Sequence, residues 1–177
     1  SEDAYADRLI ADLETFIERE GPDTIAAFFA EPVIAAGGVI VPPARYFEQL
    51  QALLKRHRIL LVCDEVVTGF ARTGEMFGST TMKLAPDMLV CAKGLSSAYI
   101  PISAVMVNAA IFDAMARQSG ELGVFGLTLT YSGHPVAAAV AREALAIYEE
   151  ERMPERVRGL EPQFLGGLRA LADHPLV

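Results

Sequence analysis

The sequence predicts an α/β fold, a mostly parallel sheet with flanking helices, and three observations carry that prediction. Short apolar runs of strand length, at residues 25–30, 59–63 and 88–91, are separated by stretches with helical spacing. Each run is apolar throughout, as a strand covered on both faces should be. Each also delivers a charged residue just past its end, Glu31, Asp64 with Glu65, and Lys93. Ligands of open α/β sheets bind outside the carboxyl ends of the strands, so these residues mark a candidate site.

Taken in order, residues 4–20 place Leu9, Leu13 and Phe16, and also Ile10, Leu13 and Ile17, at spacings of three and four. This predicts a helix with one buried face, stopped by Gly21-Pro22. The first strand follows, and the Gly37-Gly38-Val39-Ile40-Val41-Pro42-Pro43 segment reads as a loop with a short extended piece. Residues 46–57 return to helical spacing through Phe47, Leu50 and Leu54, and Lys55-Arg56-His57-Arg58 reads as a solvated helix end. Residues 67–86 are rich in Gly, Thr and Ser with no sustained period, so an ordered loop walling the site is expected there. Beyond Lys93, only residues 94–101 precede the next apolar run, 102–107. A parallel crossover needs about a dozen residues or more, so that strand is predicted antiparallel. A short helix is expected over 111–117, loop with a final strand over 120–133, and a helix from Pro135 to about Arg152 whose alanines permit close packing. A last helix over 155–172 should turn Val157, Leu160, Phe164, Leu168 and Leu171 inward, and Leu176-Val177 reads as the start of another apolar segment. The expected organisation is one unit over 1–152 and the first helix of a second, cut short, over 153–177.

Composition narrows the class. The 177 residues are 52% hydrophobic and 21% charged, ordinary for a globular chain with one sizeable core, and the net charge of -8 speaks against a nucleic-acid surface. No segment has the roughly 18 consecutive apolar residues of a membrane span. Ser1-Glu2-Asp3 is acidic where a signal peptide would be basic, and Cys63 and Cys91 end apolar strands as small core residues of a reducing compartment. Cytoplasm is the expected location.

Of the three lysines only Lys93 follows a buried strand. It reads either as the strand's exit into water or as an amine in a partly desolvated pocket, able to attack a carbonyl and form a Schiff base. Asp64, at a neighbouring strand end, is the carboxylate that pyridoxal phosphate needs to keep its ring nitrogen protonated; it is equally suited to cap the following turn. Asp64 and Glu65 are adjacent, so on a strand they point to opposite faces and do not form paired carboxylates. His57, His134 and His174 lack metal-ligand spacing, and neither a phosphate loop of the Gly-Lys-Ser/Thr type nor a Gly-x-Ser-x-Gly elbow occurs. No metal site is expected.

Six runs occur in fixed order: Glu31-Pro32-Val33; the 37–43 loop; Asp64-Glu65-Val66-Val67-Thr68-Gly69-Phe70-Ala71-Arg72-Thr73-Gly74; Pro86-Asp87; Ala92-Lys93-Gly94-Leu95; and Thr130-Tyr131-Ser132-Gly133-His134-Pro135. Together they resemble class III aminotransferases, the ω-aminotransferase branch of the fold type I pyridoxal-phosphate enzymes, over about residues 25–141. The resemblance implies that Lys93 is the Schiff-base lysine and Asp64 the partner of the pyridine nitrogen. It implies that Val66 packs on the cofactor ring and that Thr130 reaches the phosphate of a neighbouring subunit, making a homodimer with shared sites. Glu31 matches a substrate-site glutamate that pairs with an arginine in several members, and its alternative is a solvent-exposed strand-end acid. Two departures stand out: Ala71 replaces a frequent glycine, and Leu127-Thr128 a frequent His-Gly pair. The phosphate loop with its aromatic stacker and the substrate-binding arginine of longer members have no counterpart here. The implied reaction moves an amino group from an amine or ω-amino acid to a 2-oxo acid such as pyruvate. Its alternatives are a racemase or aminomutase of the same family, and a non-catalytic fragment or dimerisation module.

Overall fold

Four strands form one sheet in the order β1-β2-β3-β4: β1 (Ala27–Ala30), β2 (Leu60–Asp64), β3 (Met88–Cys91) and β4 (Ala104–Val107). The coordinates are a computed structural model that describes residues 1–127, 129–172 and 174–175. β1, β2 and β3 run parallel, with Ala30 beside Cys63 and Asp64 beside Val90. β4 returns antiparallel with Ala104 beside Cys91, as the short connection after Lys93 requires. Asp87 braces the sheet's far end. Its carboxylate accepts from the Leu61 amide and the Asn108 side chain, both at 2.9 Å, tying β2 to the start of the helix after β4.

One face carries the core. Helix α1 (Glu2–Glu20) begins at Ser1, whose side chain accepts from the Ala4 amide, and stops at Gly21, which takes φ 85°. That left-handed value is open to glycine at little cost. Helix α2 (Tyr46–His57) buries Phe47, Leu50, Leu53 and Leu54. These join Ile17 of α1 and Ile59, Leu61 and Cys63 in one cluster. Leu50 and Leu53 are fully enclosed, and each such side chain contributes about 1.5–3 kcal/mol through lost apolar surface. A second cluster of Phe70, Cys91, Leu95 and Ala141 lies against β3 and β4, with Tyr148 packed at its margin. It brings in helix α5 (Pro135–Glu150), whose buried face is Ala137, Ala141 and Ala144.

Several expectations need correcting. β1 is not covered on both faces: Phe28 packs on the α2 cluster while Phe29, pointing the other way, is 69% exposed. In α1 the buried stripe is Ala6 and Ile17 with Ile10 and Leu13 beside them, and Phe16 is exposed. The helix expected over 111–117 is α4 (Ala109–Leu122), because Asn108 caps it by accepting from the Ile111 amide and Gly123 ends it at φ 71°. No strand forms among the described residues of 120–133, which α4 enters and loop completes. The 67–86 stretch is a loop as expected but contains a single-turn helix, α3 (Gly78–Thr81). Helix α6 (Met153–Leu171) buries none of its residues, and Leu160, Phe164, Leu168 and Leu171 are exposed rather than inward. Only its first part meets the chain: Val157, Leu160 and Phe164 line a hollow with residues 72–74, and Val157 is half-buried. Thr128, Leu176 and Val177 lie outside the described residues.

Candidate active site

β2 ends in two carboxylates with different surroundings. Asp64 is half-buried, and its Oδ1 accepts from the Val66 amide at 2.9 Å, the turn-capping use that its sequence position allowed. Among the described residues its second oxygen takes no hydrogen bond. Glu65 turns inward and is fully buried. Its carboxylate accepts from the Thr68 hydroxyl at 2.6 Å, the Gly78 amide at 2.9 Å and the Ser79 amide at 2.5 Å. A buried charge persists only when its lone pairs are satisfied in this way. Glu65 thereby pins both ends of the 65–79 loop. The loop also fits closely, since a Cβ on Gly78 would lie 2.7 Å from the Thr68 Cβ. Burial first, then the Glu65 and Asp64 charges, push the neighbouring Cys63 thiol up to about 12.

The loop wall is strained where it passes the lysine. Phe70 and Ala71 take φ 62° and 70°, and their amides reach the Met76 carbonyl at 2.6 and 3.3 Å. Glycine at position 71 would adopt this conformation freely, which explains why the position suits glycine. Arg158 of α6 closes the loop's tip, donating to the Gly74 carbonyl and to the Glu75 carboxylate.

β3 ends in Lys93, the first residue of a 3₁₀ turn over Lys93–Ser96, with φ 43°. Its side chain is exposed and, among the described residues, has no hydrogen bond or ion pair. The partly desolvated setting expected from the sequence is not met by the described residues of this chain, in which Lys93 is exposed. Gly94 lies flush against the wall: a Cβ there would be 2.7 Å from the Phe70 Cβ and ring. β2 and β3 are hydrogen-bonded parallel neighbours, so Asp64 and Lys93 emerge at the same end of the sheet.

The remaining site residues are placed unevenly. Glu31, at the end of β1, accepts from the Ala35 amide at 3.1 Å and shares with Asp64 a mostly apolar hollow of about 360 Å³ against Phe47. It is half-buried, not the fully exposed acid of the alternative reading. Val66 is half-buried directly after Asp64. Thr130 is exposed and lines a separate hollow of about 1040 Å³ with residues 100–103 and the start of α5, so the chain does not bring it to Asp64.

Sequence reasoning passed over two residues of the site. Glu65 looked like a spare acid beside Asp64, and Thr68 three positions on was its only signal. Tyr148 continues the buried Ala137, Ala141, Ala144 spacing of α5, so it was legible as the one polar side chain on that face. Its hydroxyl donates to the Gly94 carbonyl at 3.1 Å, beside Lys93.

An unpartnered amine and a carboxylate with a free oxygen, at the same end of two neighbouring strands, suit a ligand that offers a carbonyl and a basic ring nitrogen. Pyridoxal phosphate has both, and these residues fit it. Comparison with known proteins points the same way. A family profile described as Aminotransferase class-III matches residues 1–177. γ-Aminobutyrate transaminase 1, mitochondrial, of Oryza sativa subsp. indica is 52% identical over 177 residues, 100% of this chain and 34% of that protein. γ-Aminobutyrate transaminase 3, chloroplastic, of Solanum lycopersicum is 50% identical over 100% of this chain and 34% of its own length. The ω-transaminase of Pseudomonas jessenii, solved in complex with PMP, superposes with a TM-score of 0.96 at 50% identity, covering 100% of this chain and 39% of that one. The chain therefore spans about a third of the length of the curated relatives it matches. Among the described residues no helix is long and apolar enough to cross a membrane.

Proposed function

The chain belongs to the class III aminotransferases, a pyridoxal-phosphate family, and on that premise we propose that it carries the cofactor lysine of an enzyme moving an amino group from an amine or ω-amino acid to a 2-oxo acid such as pyruvate. The observation that carries this reading is that the unpartnered Lys93 amine and the free Asp64 oxygen belong to neighbouring parallel strands and emerge at the same end of the sheet. Bound pyridoxal phosphate supplies an aldehyde and an electron-withdrawing ring. Lys93 would hold it through its ε-amine and, as the free amine, would move a proton as general base and acid. Asp64 keeps a proton on the ring nitrogen with its free oxygen, while the Val66 amide fixes the orientation of its carboxyl group. Val66 would pack on the ring, and Glu31 would border the substrate from the end of β1. Thr130 serves the phosphate of a second copy in a homodimer, a role supported by its distance from its own Asp64 along the fold. The names of the plant relatives make γ-aminobutyrate a donor to try first. Buried free thiols at Cys63 and Cys91 suit a reducing compartment such as the cytoplasm. We assign residues 1–152 to the cofactor domain and 153–177 to the start of a second.

Borohydride reduction of the cofactor-loaded, full-length enzyme tests this assignment. The label should appear on the peptide containing Cys91-Ala92-Lys93-Gly94 and vanish in Lys93→Ala. A label on Lys55 or Lys83 would overturn it, and amine turnover without any 2-oxo acid acceptor would point to a racemase or aminomutase instead.

A further inference from the structure

The turn that carries Lys93 is unusual in its backbone. Lys93, Ser97 and Ala98 take φ 43°, 50° and 65°, conformations that side chains other than glycine adopt only when the surroundings hold them. Internal bonds are few: Leu95 to the Ala92 carbonyl at 3.0 Å, Ser97 to Gly94 at 3.2 Å, and Ala98 to Lys93 at a long 3.4 Å. On its entry side the turn is fixed by β3. On its exit side the Ser96 hydroxyl donates to the Ile100 carbonyl at 2.7 Å, Ala141 of α5 packs on Leu95, and one side-chain hydrogen bond arrives from that helix. The Tyr148 hydroxyl donates to the Gly94 carbonyl at 3.1 Å and lies 3.2 Å from Ser97 Oγ. With the Tyr148 proton on Gly94, Ser97 is the donor to Tyr148, so the groups form a chain from Ser97 through Tyr148 to the Gly94 carbonyl in which the first bond polarises the next. The Tyr148 ring is itself seated on Phe70, 5.8 Å between centroids, and Phe70 is the side chain that Gly94 touches.

We propose that Tyr148 is a positioning residue for Lys93: its hydroxyl, anchored on α5, holds the Gly94 carbonyl and so fixes the direction in which the lysine leaves the turn. The proposal rests on the reading of Lys93 as the cofactor lysine. A proton-transferring amine must return to one position on every turnover, and small displacements of such a group cost rate steeply. The Ser97 side chain supports Tyr148, while its backbone amide donates to the Gly94 and Lys93 carbonyls.

Tyr148→Phe in the full-length holoenzyme is the test, because it removes the hydroxyl and keeps the ring on Phe70. The circular dichroism should be unchanged, kcat should fall about tenfold or more, and the donor KM should stay within about threefold. The pH at which the bound cofactor's visible band titrates should shift. In the apoprotein, amide exchange over residues 93–98 should quicken about tenfold while residues 47–63 keep their protection. Ser97→Ala should change the same quantities in the same direction by less. Unchanged exchange, rate and titration in Tyr148→Phe would overturn the proposal. So would faster exchange with an unchanged rate and titration, since Tyr148 would then be structural only. The borohydride label separates the two possible failures. Found on another lysine, it overturns the assignment of Lys93 and the proposal with it; retained on Lys93 beside an indifferent Tyr148→Phe, it overturns the role of Tyr148 alone.

Discussion

Asp64 and Glu65 are chemically alike and adjacent, yet one faces the candidate site and the other is sealed beneath the loop, because strand alternation and the turn after β2 send them to opposite sides. Asp64→Asn tests that division of roles. The amide keeps the size and the Val66 contact but cannot hold a ring proton by charge, a loss of about 1.5–3 kcal/mol that corresponds to roughly ten- to a hundredfold in rate. Steady-state kinetics of the holoenzyme should show this with the fold intact, and near-normal turnover would remove the electrostatic role. Cys63 offers a pH-linked check. Its folded thiol is pushed up to about 12 from an ordinary 9.0, first by burial, so the folded state keeps a proton that the unfolded state gives up. Its contribution to stability is complete below 9.0 and is lost as pH rises towards about 12. The thiol should therefore resist alkylation at pH 8–9 in the folded protein. Labelling of Cys63 as fast as in denaturant would contradict the burial described here.

The elements that build the site are loops braced by helices rather than the helices themselves. The 65–79 loop hangs from Glu65, and the Lys93 turn is trapped between Phe70 of that loop and Tyr148 of α5. Gly94 is where the two structures touch. A methyl at 2.7 Å from Phe70 forces the ring or the turn to move, an overpacking cost of about 1–3 kcal/mol. Gly94→Ala should lower the thermal midpoint and weaken cofactor retention together, as a melting curve and the visible band would report. A variant as stable and as well loaded as the parent would mean that the contact is slack. Element lengths were less legible than element types. The expectation for α4 fell short at both ends because Asn108 and Gly123, its caps, look like ordinary loop residues until the chain between them is seen to be helical.

On the scale of the whole molecule, the sheet is covered on one face and largely bare on the other. Phe29 and Val105 on the bare face, and Phe164 on α6, are 69%, 58% and 70% exposed. Exposed apolar side chains of this size favour association, and β1 adds an unpaired edge. These 177 residues expressed alone should elute in associated form and bind pyridoxal phosphate weakly, with no transamination, since a site whose lysine is exposed leaves the ring unclamped. Size-exclusion chromatography with cofactor titration decides this. A monodisperse monomer holding one cofactor and turning over amine would show that the site is more complete than its geometry indicates.

The sequence alone determined the parallel order of the first three strands, the antiparallel return after Lys93, and the pairing of an amine with a carboxylate at one sheet end. All of these follow from local signals: strand-length apolar runs, connection length, and the residue at which each run stops. Tertiary structure alone decided which apolar faces are covered, because α1 and α6 carry similar stripes and the α1 stripe is buried against α2 while that of α6 only borders the 72–74 loop. It also decided that Glu65 and Tyr148 belong to the site. Their hydrogen bonds join residues 65 to 78 and 79, and 148 to 94, across separations at which no periodicity in the chain records who will be neighbours.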